Sequence, residues 1–316
     1  MTPTDQEQID TVDGSLVPDP DFLEPGRIVA RRYRLGDEIG SGSAGRIHLA
    51  TRLIDRREVV LKIGVGVGRM GRDRMRAEAR ALAYLDHPNC VRFVEHGECG
   101  RLAFVAMEAI HGDSLDVHIT GGGVSRAAGV LWLYELAQAI DHVHGRGLVH
   151  RDLKPANVMI ESKGGRVVLV DFGLASEYRR PAAALGEGMV QGTPDYMAPE
   201  QALGLETEIG PAADRYAFAA IAMELFTGER PYASMPLGQL LTTILEQPPR
   251  RPSALGFGDA ALDAVFAKAM AREPARRFGS AREQIDAIVE ALPPARMLGR
   301  RSRRPKSAQT VRAKAA

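Results

Sequence analysis

Short runs of β-branched and apolar residues dominate the first third of the chain, and helical patterns dominate the rest. The runs are typical of strands and occupy residues 33–39, 46–51, 58–63, 91–95 and 102–107. One helical pattern interrupts them at residues 72–85, where apolar or small side chains recur every three or four positions: Met75, Ala79, Leu82 and Leu85. This part of the chain therefore predicts a β-rich unit with one helix.

Longer helical patterns follow at residues 127–144, 215–227, 237–246, 260–271 and 281–292, and two short strand-like pieces, 158–160 and 167–170, lie between the first two. This order predicts an α+β fold with two lobes. The small β-rich N-lobe covers about residues 27–110, and the larger helical C-lobe covers about residues 111–291. We expect the lobes to meet near residues 108–112.

Composition excludes several classes of protein. The chain has 316 residues, of which 45% are hydrophobic, so it can bury a core. Its best apolar stretch, Tyr216–Phe226, is too short to span a bilayer and carries Glu224. The first residues do not have the pattern of a secretory signal. Cys90 and Cys99 are too few for a disulfide framework. We therefore expect a cytoplasmic protein with reduced thiols and no membrane span.

The two ends carry opposite charges although the net charge is only +1. Residues 1–26 contain seven acidic residues and no Lys or Arg, whereas residues 292–316 contain eight basic residues and no acidic one. Both segments are poor in large apolar residues, which is typical of disordered tails. The basic tail either serves solubility alone or binds an acidic partner, and we do not expect nucleic acid as a partner.

Two glycine-rich loops are candidates for binding phosphate groups. The first, Gly40–Gly45, lies between two predicted strands, where glycines allow backbone N–H groups to approach a phosphate. The second, Gly66–Gly71, follows a predicted strand and opens a predicted helix, which is the context of a dinucleotide-binding βαβ unit. The choice between them depends on residues elsewhere in the chain.

Further motifs favour the first loop. Lys62 ends a VVLK strand, and Glu78 lies on the helix that follows. Residues 150–157 read HRDLKPAN, residues 171–173 read DFG, and residues 198–200 read APE. In this order the motifs match a known kinase signature. The chain resembles the eukaryotic-like (bacterial-type) Ser/Thr protein kinases over about residues 33–290.

The resemblance implies a bilobal protein-kinase fold that uses ATP with Mg²⁺, or Mn²⁺ in its place. It implies that Asp152 is the catalytic base and that Lys154 contacts the γ-phosphate. Lys62 would neutralise the α- and β-phosphates while Glu78 orients it. Asn157 and Asp171 would bind the metal, since both offer the oxygen ligands that Mg²⁺ prefers.

The resemblance also implies an ATP site along the glycine loop and the junction between the lobes. Its expected members are Ile39, Gly40, Ser41, Gly42, Ser43, Gly45, Ile47, Val60, Lys62, Met107, Glu108, Ile110, Asp113 and Met159. Within this set Met107 would be the gatekeeper, and backbone groups near Glu108 and Ile110 would bind the adenine edge. Asp113 would reach the ribose.

Other residues are expected to support the site without touching the reacting atoms. His150 and Phe172 would pack with Leu82 and Phe93 in a hydrophobic spine. Three more are expected to act structurally: Asp214, which would accept backbone hydrogen bonds from the catalytic loop, and Glu200 with Arg277, which would form an ion pair.

The activation segment, residues 174–191, contains only Ser176 and Tyr178 as hydroxyl residues. We predict that Glu187 supplies a fixed negative charge near Arg151, so that no phosphorylation is needed there; alternatively, Glu187 is a solvated loop residue.

Lys154 and Thr193 have the forms found in Ser/Thr kinases. They imply protein substrates with Ser or Thr acceptors, with autophosphorylation included. Pairing of two copies through the small lobe is a further expectation from the resemblance.

Two other functions stay open at this point. The first is a kinase fold with weak or no activity that binds ATP and a partner, although Lys62, Asp152 and Asp171 are all retained. The second is a nucleotide-dependent dehydrogenase built on Gly66–Gly71, which leaves residues 150–200 unexplained.

Overall fold

An antiparallel sheet and one helix form the small lobe. The computed structural model describes residues 23–42, 45–64, 69–99, 102–177, 192–205 and 207–293. The elements of this lobe are β1 (Ile28–Val29), β2 (Tyr33–Gly42), β3 (Gly45–Arg52), β4 (Glu58–Gly64), α1 (Arg69–Ala83), β5 (Phe93–Cys99) and β6 (Leu102–Glu108). The strands are ordered β1-β2-β3-β4-β6-β5, and every neighbouring pair is antiparallel.

The small lobe has a core of its own behind the sheet. Leu61, Ile63 and Phe104 are fully buried there, and Tyr33 meets Phe104 edge to face. Leu23, which the charge pattern assigned to the acidic tail, is also buried in this cluster. Residue 23 is therefore already packed onto the lobe.

The large lobe is mainly helical. Its elements are β7 (Gly112–Ser114), α2 (Leu115–Gly121), α3 (Arg126–Gly145), β8 (Leu148–Val149), β9 (Val158–Glu161), β10 (Val167–Leu169), β11 (Ser176–Glu177), α4 (Pro199–Ala202), α5 (Pro211–Thr227), α6 (Leu237–Glu246), α7 (Ala260–Ala269) and α8 (Ala281–Ala291). Helix α5 runs through the core, where residues 216–223 are all buried. The predicted α+β fold with two lobes is confirmed.

The differences from the predicted elements have local causes. Helix α5 begins at Pro211 rather than at Arg215, because proline is well suited to the first turn of a helix. Strand β5 begins at Phe93 rather than at Val91, because Val91 donates its N–H to Leu169 of the large lobe at 2.9 Å. The segment before β5 therefore joins the two lobes.

The chain crosses from the small lobe to the large lobe at residues 108–112, where we expect the lobes to meet from the sequence. Strand β6 ends at Glu108, and β7 begins at Gly112 and pairs with β9. A Cβ atom at Gly112 would lie 2.0 Å from the carbonyl oxygen of Ile160, so this close approach requires glycine. In the described part of the chain, every helix is too short or too polar to cross a membrane.

Candidate functional site

A buried lysine connects the small lobe to the large one. Lys62 Nζ on β4 lies 2.9 Å from Oε1 of Glu78 on α1 and 2.8 Å from Oδ1 of Asp171. Lys62 and Glu78 are 5% and 2% exposed, respectively. A Cβ atom at Gly173 would lie only 2.8 Å from Lys62 Nζ, so the glycine leaves room for the ammonium group. The expected Lys62–Glu78 contact is present.

The charges in this cluster stabilise one another. Burial alone would lower the pKa of Lys62, but the carboxylates of Glu78 and Asp171 outweigh it and the pKa is raised. Burial alone would raise the pKa of Asp171, but Lys62 outweighs burial and holds the pKa of that carboxyl below its usual range. Burial raises the pKa of Glu78, which Lys62 only partly offsets. Lys62 therefore stays cationic, as phosphate binding requires.

A second cluster surrounds the carboxylate of Asp152. Thr193 donates both its amide and its hydroxyl to Asp152 Oδ1, each at 2.9 Å. Lys154 Nζ lies 2.7 Å from Asp152 Oδ2 and 2.9 Å from Thr193 Oγ1. The three side chains form a closed triangle, in which a proton-accepting carboxylate lies beside a cation. Sequence reasoning noted Thr193 as a marker of substrate class but missed its contact with Asp152.

Two oxygen ligands suitable for Mg²⁺ lie next to these clusters. Asn157 Nδ2 donates to the backbone carbonyl of Asp152 at 2.9 Å, so the amide nitrogen is engaged and Oδ1 remains as the acceptor. The backbone of Asp171 has a φ of 60°, a left-handed conformation that residues other than glycine rarely adopt. The donor set of one amide and one carboxylate oxygen fits Mg²⁺, which keeps further positions for water and phosphate.

The strands that flank the first glycine loop, β2 and β3, pair with each other up to Gly42 and Gly45. Gly42 pairs with Gly45, and Ser41 pairs with Arg46. A Cβ atom at Gly45, where φ is +131°, would lie 2.3 Å from the carbonyl oxygen of Ile63. Gly45 therefore lies tightly against β4, the strand that carries Lys62. Ser43 lies outside the described residues.

One face of the small sheet carries the expected adenine-lining side chains. Ile47 is opposite Lys62 on neighbouring strands, and Val60 is opposite Met107. Residues directly opposite each other share a face, so these four side chains lie on one surface. The two-residue spacing of Val60 and Lys62 on β4 predicts that they share a face, whereas the register with β3 and β6 brings Ile47 and Met107 to that face.

The remaining expected members of the ATP site differ in burial. Gly40 pairs with Ile47, while Ile39 is 57% exposed. Ile110 and Met159 are half-buried against the main core, and Asp113 is exposed on β7. The amide of Glu108 donates to the carbonyl of Arg92 at 3.0 Å.

His150, Phe172 and Asp214 make contacts that the resemblance implies. The His150 ring lies 4.8 Å from the Phe172 ring, and its Nε2 lies 3.1 Å from the carbonyl of Val170. Asp214 accepts hydrogen bonds from the amides of His150 and Arg151 at 2.8 and 2.9 Å. Leu82 is fully buried and Phe93 is half-buried.

The expected ion pair between Glu200 and Arg277 is also present. The Arg277 guanidinium donates to both carboxylate oxygens of Glu200, at 2.7 and 2.8 Å. Sequence reasoning missed two neighbouring contacts: His144 Nε2 lies 2.8 Å from Asp214 Oδ2, and Gln201 Nε2 donates to the carbonyl of Arg151 at 2.8 Å. These partners are 50 or more residues apart, and no local pattern indicates them.

The dehydrogenase alternative is wrong. A dinucleotide site needs a strand, a helix and a second strand that pairs in parallel with the first. In the described residues β4 pairs with β3 and β6, both antiparallel, and β6 lies between β4 and β5, the strand after α1. Gly71 lies inside α1, and residues 66–68 of the second glycine loop lie outside the described residues.

Two residues of the activation segment, Tyr178 and Glu187, also lie outside the described residues, so the predicted role of Glu187 stays a prediction.

Comparisons with known proteins agree with this geometry. The family model described as the protein kinase domain matches residues 33–277. The chain is 34% identical over 288 residues to the serine/threonine-protein kinase PknJ of Mycobacterium tuberculosis, covering 85% of this chain and 47% of PknJ. It is 34% identical over 274 residues to the serine/threonine-protein kinase PknB of the same species, covering 82% of this chain and 42% of PknB.

A solved structure has the same fold. The crystal structure of a point mutant of the Mycobacterium tuberculosis PknI kinase domain matches with a TM-score of 0.66 at 28% identity, covering 85% of this chain and 98% of that one. The chain spans less than half the length of PknJ and PknB.

Proposed function

The chain belongs to the protein kinase family, and from that premise we propose that it transfers the γ-phosphoryl group of ATP to Ser and Thr hydroxyls of protein substrates. The observation that carries the proposal is the buried contact of Lys62 with both Glu78 and Asp171, at 2.9 and 2.8 Å. A lysine that helix α1 and the DFG aspartate hold in place is ready to bind phosphate oxygens.

In the proposed reaction, Asp152 accepts the proton of the substrate hydroxyl as the oxygen attacks the γ-phosphorus, the bond from that phosphorus to the β,γ-bridging oxygen breaks, and ADP leaves. Thr193 holds one carboxylate oxygen of Asp152, and Lys154 contacts the other while providing positive charge beside the transferred group. Asn157 and Asp171 would hold the metal. When bound, Mg²⁺ neutralises charge on the phosphate oxygens.

Transition-state charge in this scheme is stabilised by groups that are already positioned, so little reorganisation is needed during the reaction. The Thr193–Lys154 contact supports Ser and Thr as the acceptors, because these two residues have the Ser/Thr-kinase forms. We also propose autophosphorylation and action in a reducing compartment such as the cytoplasm, which fits the reduced state of Cys90 and Cys99. Pairing of two copies and an acidic partner for the basic tail remain proposals.

The test uses purified full chain, γ-labelled ATP, Mg²⁺ and a generic Ser/Thr protein substrate, with mass spectrometry to locate the label. We expect label on Ser or Thr, and its loss in Asp152→Asn while ATP still binds. Equal transfer by Asp152→Asn would reject Asp152 as the base. Tight ATP binding by the wild-type chain without any transfer would favour the inactive binding protein instead.

A further inference from the structure

The large lobe contains a cavity of about 410 Å³ between α5, α6, α7 and the segment 247–252 that follows α6. None of the residues that line it belongs to the lysine cluster or the Asp152 cluster described above. The proposed phosphoryl transfer does not use this cavity. Its volume lies within the range of sites that bind small molecules.

The floor of the cavity is apolar. Ile244, Phe266 and Met270 line it, and all three are 2–3% exposed. At its base the hydroxyls of Tyr216 and Tyr232 lie 3.0 Å apart. A hydrocarbon group that binds to this floor is removed from water, which stabilises the bound state by roughly 25 cal/mol per Å² of buried apolar area.

The rim of the cavity carries three guanidinium groups, from Arg250, Arg251 and Arg272. Arg251 and Arg272 are exposed. Arg250 donates to the backbone carbonyl of Arg230 through Nη2, while its buried Nε has no hydrogen-bond partner among the described residues. A buried N–H without a partner costs free energy that an acceptor on a ligand would recover.

Two carboxylates, from Glu246 and Asp263, also line the cavity. Asp263 is already occupied, because it accepts hydrogen bonds from the amide and the hydroxyl of Ser253 at 2.9 and 2.5 Å. Arg250 Nη2 also lies 3.7 Å from the carboxylate of Glu229, whereas Arg251 and Arg272 form no ion pair with another described residue, so these two guanidinium groups are open to an anion.

We propose that this cavity binds an amphipathic organic anion, in which an alkyl chain lies against the apolar floor and a carboxylate meets the arginine rim. Each half of the ligand matches one half of the cavity: the floor offers burial of hydrocarbon, and the rim offers charge-assisted hydrogen bonds. The binding does not depend on the proposed phosphoryl transfer.

The cavity adjoins the segment 192–200, which carries Thr193. Pro199 lines it and precedes Glu200, whose carboxylate pairs with Arg277. The Arg277 guanidinium in turn lies 5.0 Å from the ring of Tyr216, which also lines the cavity. A bound ligand would therefore stabilise the segment 192–200, and we expect it to raise the melting temperature of the chain.

The test is NMR of the full chain labelled with ¹³C at methionine methyl groups, titrated with decanoate in the absence of ATP. The methyl signal of Met270, assigned with Met270→Leu, should shift and saturate. Decanol, which has the same chain but no charge, should bind at least tenfold more weakly. The Arg251→Gln/Arg272→Gln double variant should also weaken decanoate binding about tenfold, because both guanidinium groups are exposed and contacts between exposed charges are weak.

Two matched pairs locate the site. Ala267→Trp, which fills the cavity from α7, should abolish the Met270 shift, whereas Ala264→Trp on the same helix but outside the lining should not. Arg276→Gln, an exposed arginine outside the lining, should bind like the wild type. The proposal is overturned if decanoate leaves Met270 unmoved, if decanol binds equally well, or if Ala267→Trp folds normally and still binds. A circular dichroism melt of each variant checks folding.

Discussion

Thr193 donates two hydrogen bonds to Oδ1 of Asp152, one from its amide and one from its hydroxyl, each at 2.9 Å across 41 positions of sequence. The proposed base is therefore held by a residue of the loop that leads to α4. Because Lys154 also contacts Thr193, a shift of this loop would disturb both groups at once.

Replacing Thr193 tests this dependence. Thr193→Ala removes the hydroxyl from Asp152 and Lys154, and we expect kcat to fall about 10- to 100-fold with the KM for ATP little changed. Thr193→Ser keeps the hydroxyl and should retain activity within about threefold. Steady-state kinetics with ATP and a protein substrate measure both. Equal activity of the alanine and serine variants would contradict a positioning role.

Lys62→Met should destabilise the chain as well as stop phosphoryl transfer. It leaves the carboxylate of Glu78, 2% exposed, without its ammonium partner. An unpaired buried charge of this kind costs about 3 kcal/mol. Urea unfolding at pH 7 measures the loss, and γ-labelled ATP measures the activity.

The double variant Lys62→Met/Glu78→Leu separates the two effects. It removes both buried charges, so we expect it to be more stable than Lys62→Met while transferring no phosphate. Asp171 tolerates the change because its side chain is 38% exposed and can be solvated. A double variant as unstable as the single one would show that the unpaired Glu78 is not the cause.

The free energy of unfolding should fall in acid, partly because Asp214 becomes protonated. Burial favours its neutral form, but the hydrogen bonds from His144 and from the amide of His150 outweigh this, so the pKa of Asp214 is below its usual range. A carboxyl whose pKa is lower in the folded chain stabilises it above the unfolded pKa of about 3.9. That contribution is lost as the pH falls through the folded value.

Asp214→Asn isolates this contribution because an amide does not ionise. Between pH 6 and pH 3.5, the free energy of unfolding should fall more for the wild type than for Asp214→Asn, as followed by urea unfolding at each pH. The same loss in both chains would mean that Asp214 does not respond to acid in this range.

The two thiols should differ in reactivity. Burial raises the pKa of Cys90 to about 12, and only the thiolate reacts rapidly, whereas Cys99 is partly exposed. At pH 8, iodoacetamide should modify the native chain once and the chain in urea twice, as measured by intact mass. Native Cys99→Ser should take up no label; a labelled native Cys99→Ser would mean that Cys90 is accessible.

Local patterns in the sequence determined the elements and much of the site. The run of β-branched and apolar residues at 58–63 predicted a strand that carries Lys62, and the repeat in α1 predicted a helix that carries Glu78. The order of the strand-like and helical patterns predicted the two lobes. The sequence shows the charges of the two ends and of Glu187, but residues 1–22, Glu187 and residues 294–316 lie outside the described residues.

Contacts between distant residues were decided only by the tertiary structure. The bonds of Thr193 to Asp152 and of His144 to Asp214 join separate elements, and no periodicity encodes which side chains meet there. The antiparallel pairing of β4 likewise excluded the dinucleotide site that Gly66–Gly71 suggested. Hydrophobic periodicity records which face of an element is buried, whereas the identity of its partner depends on how all the elements pack together.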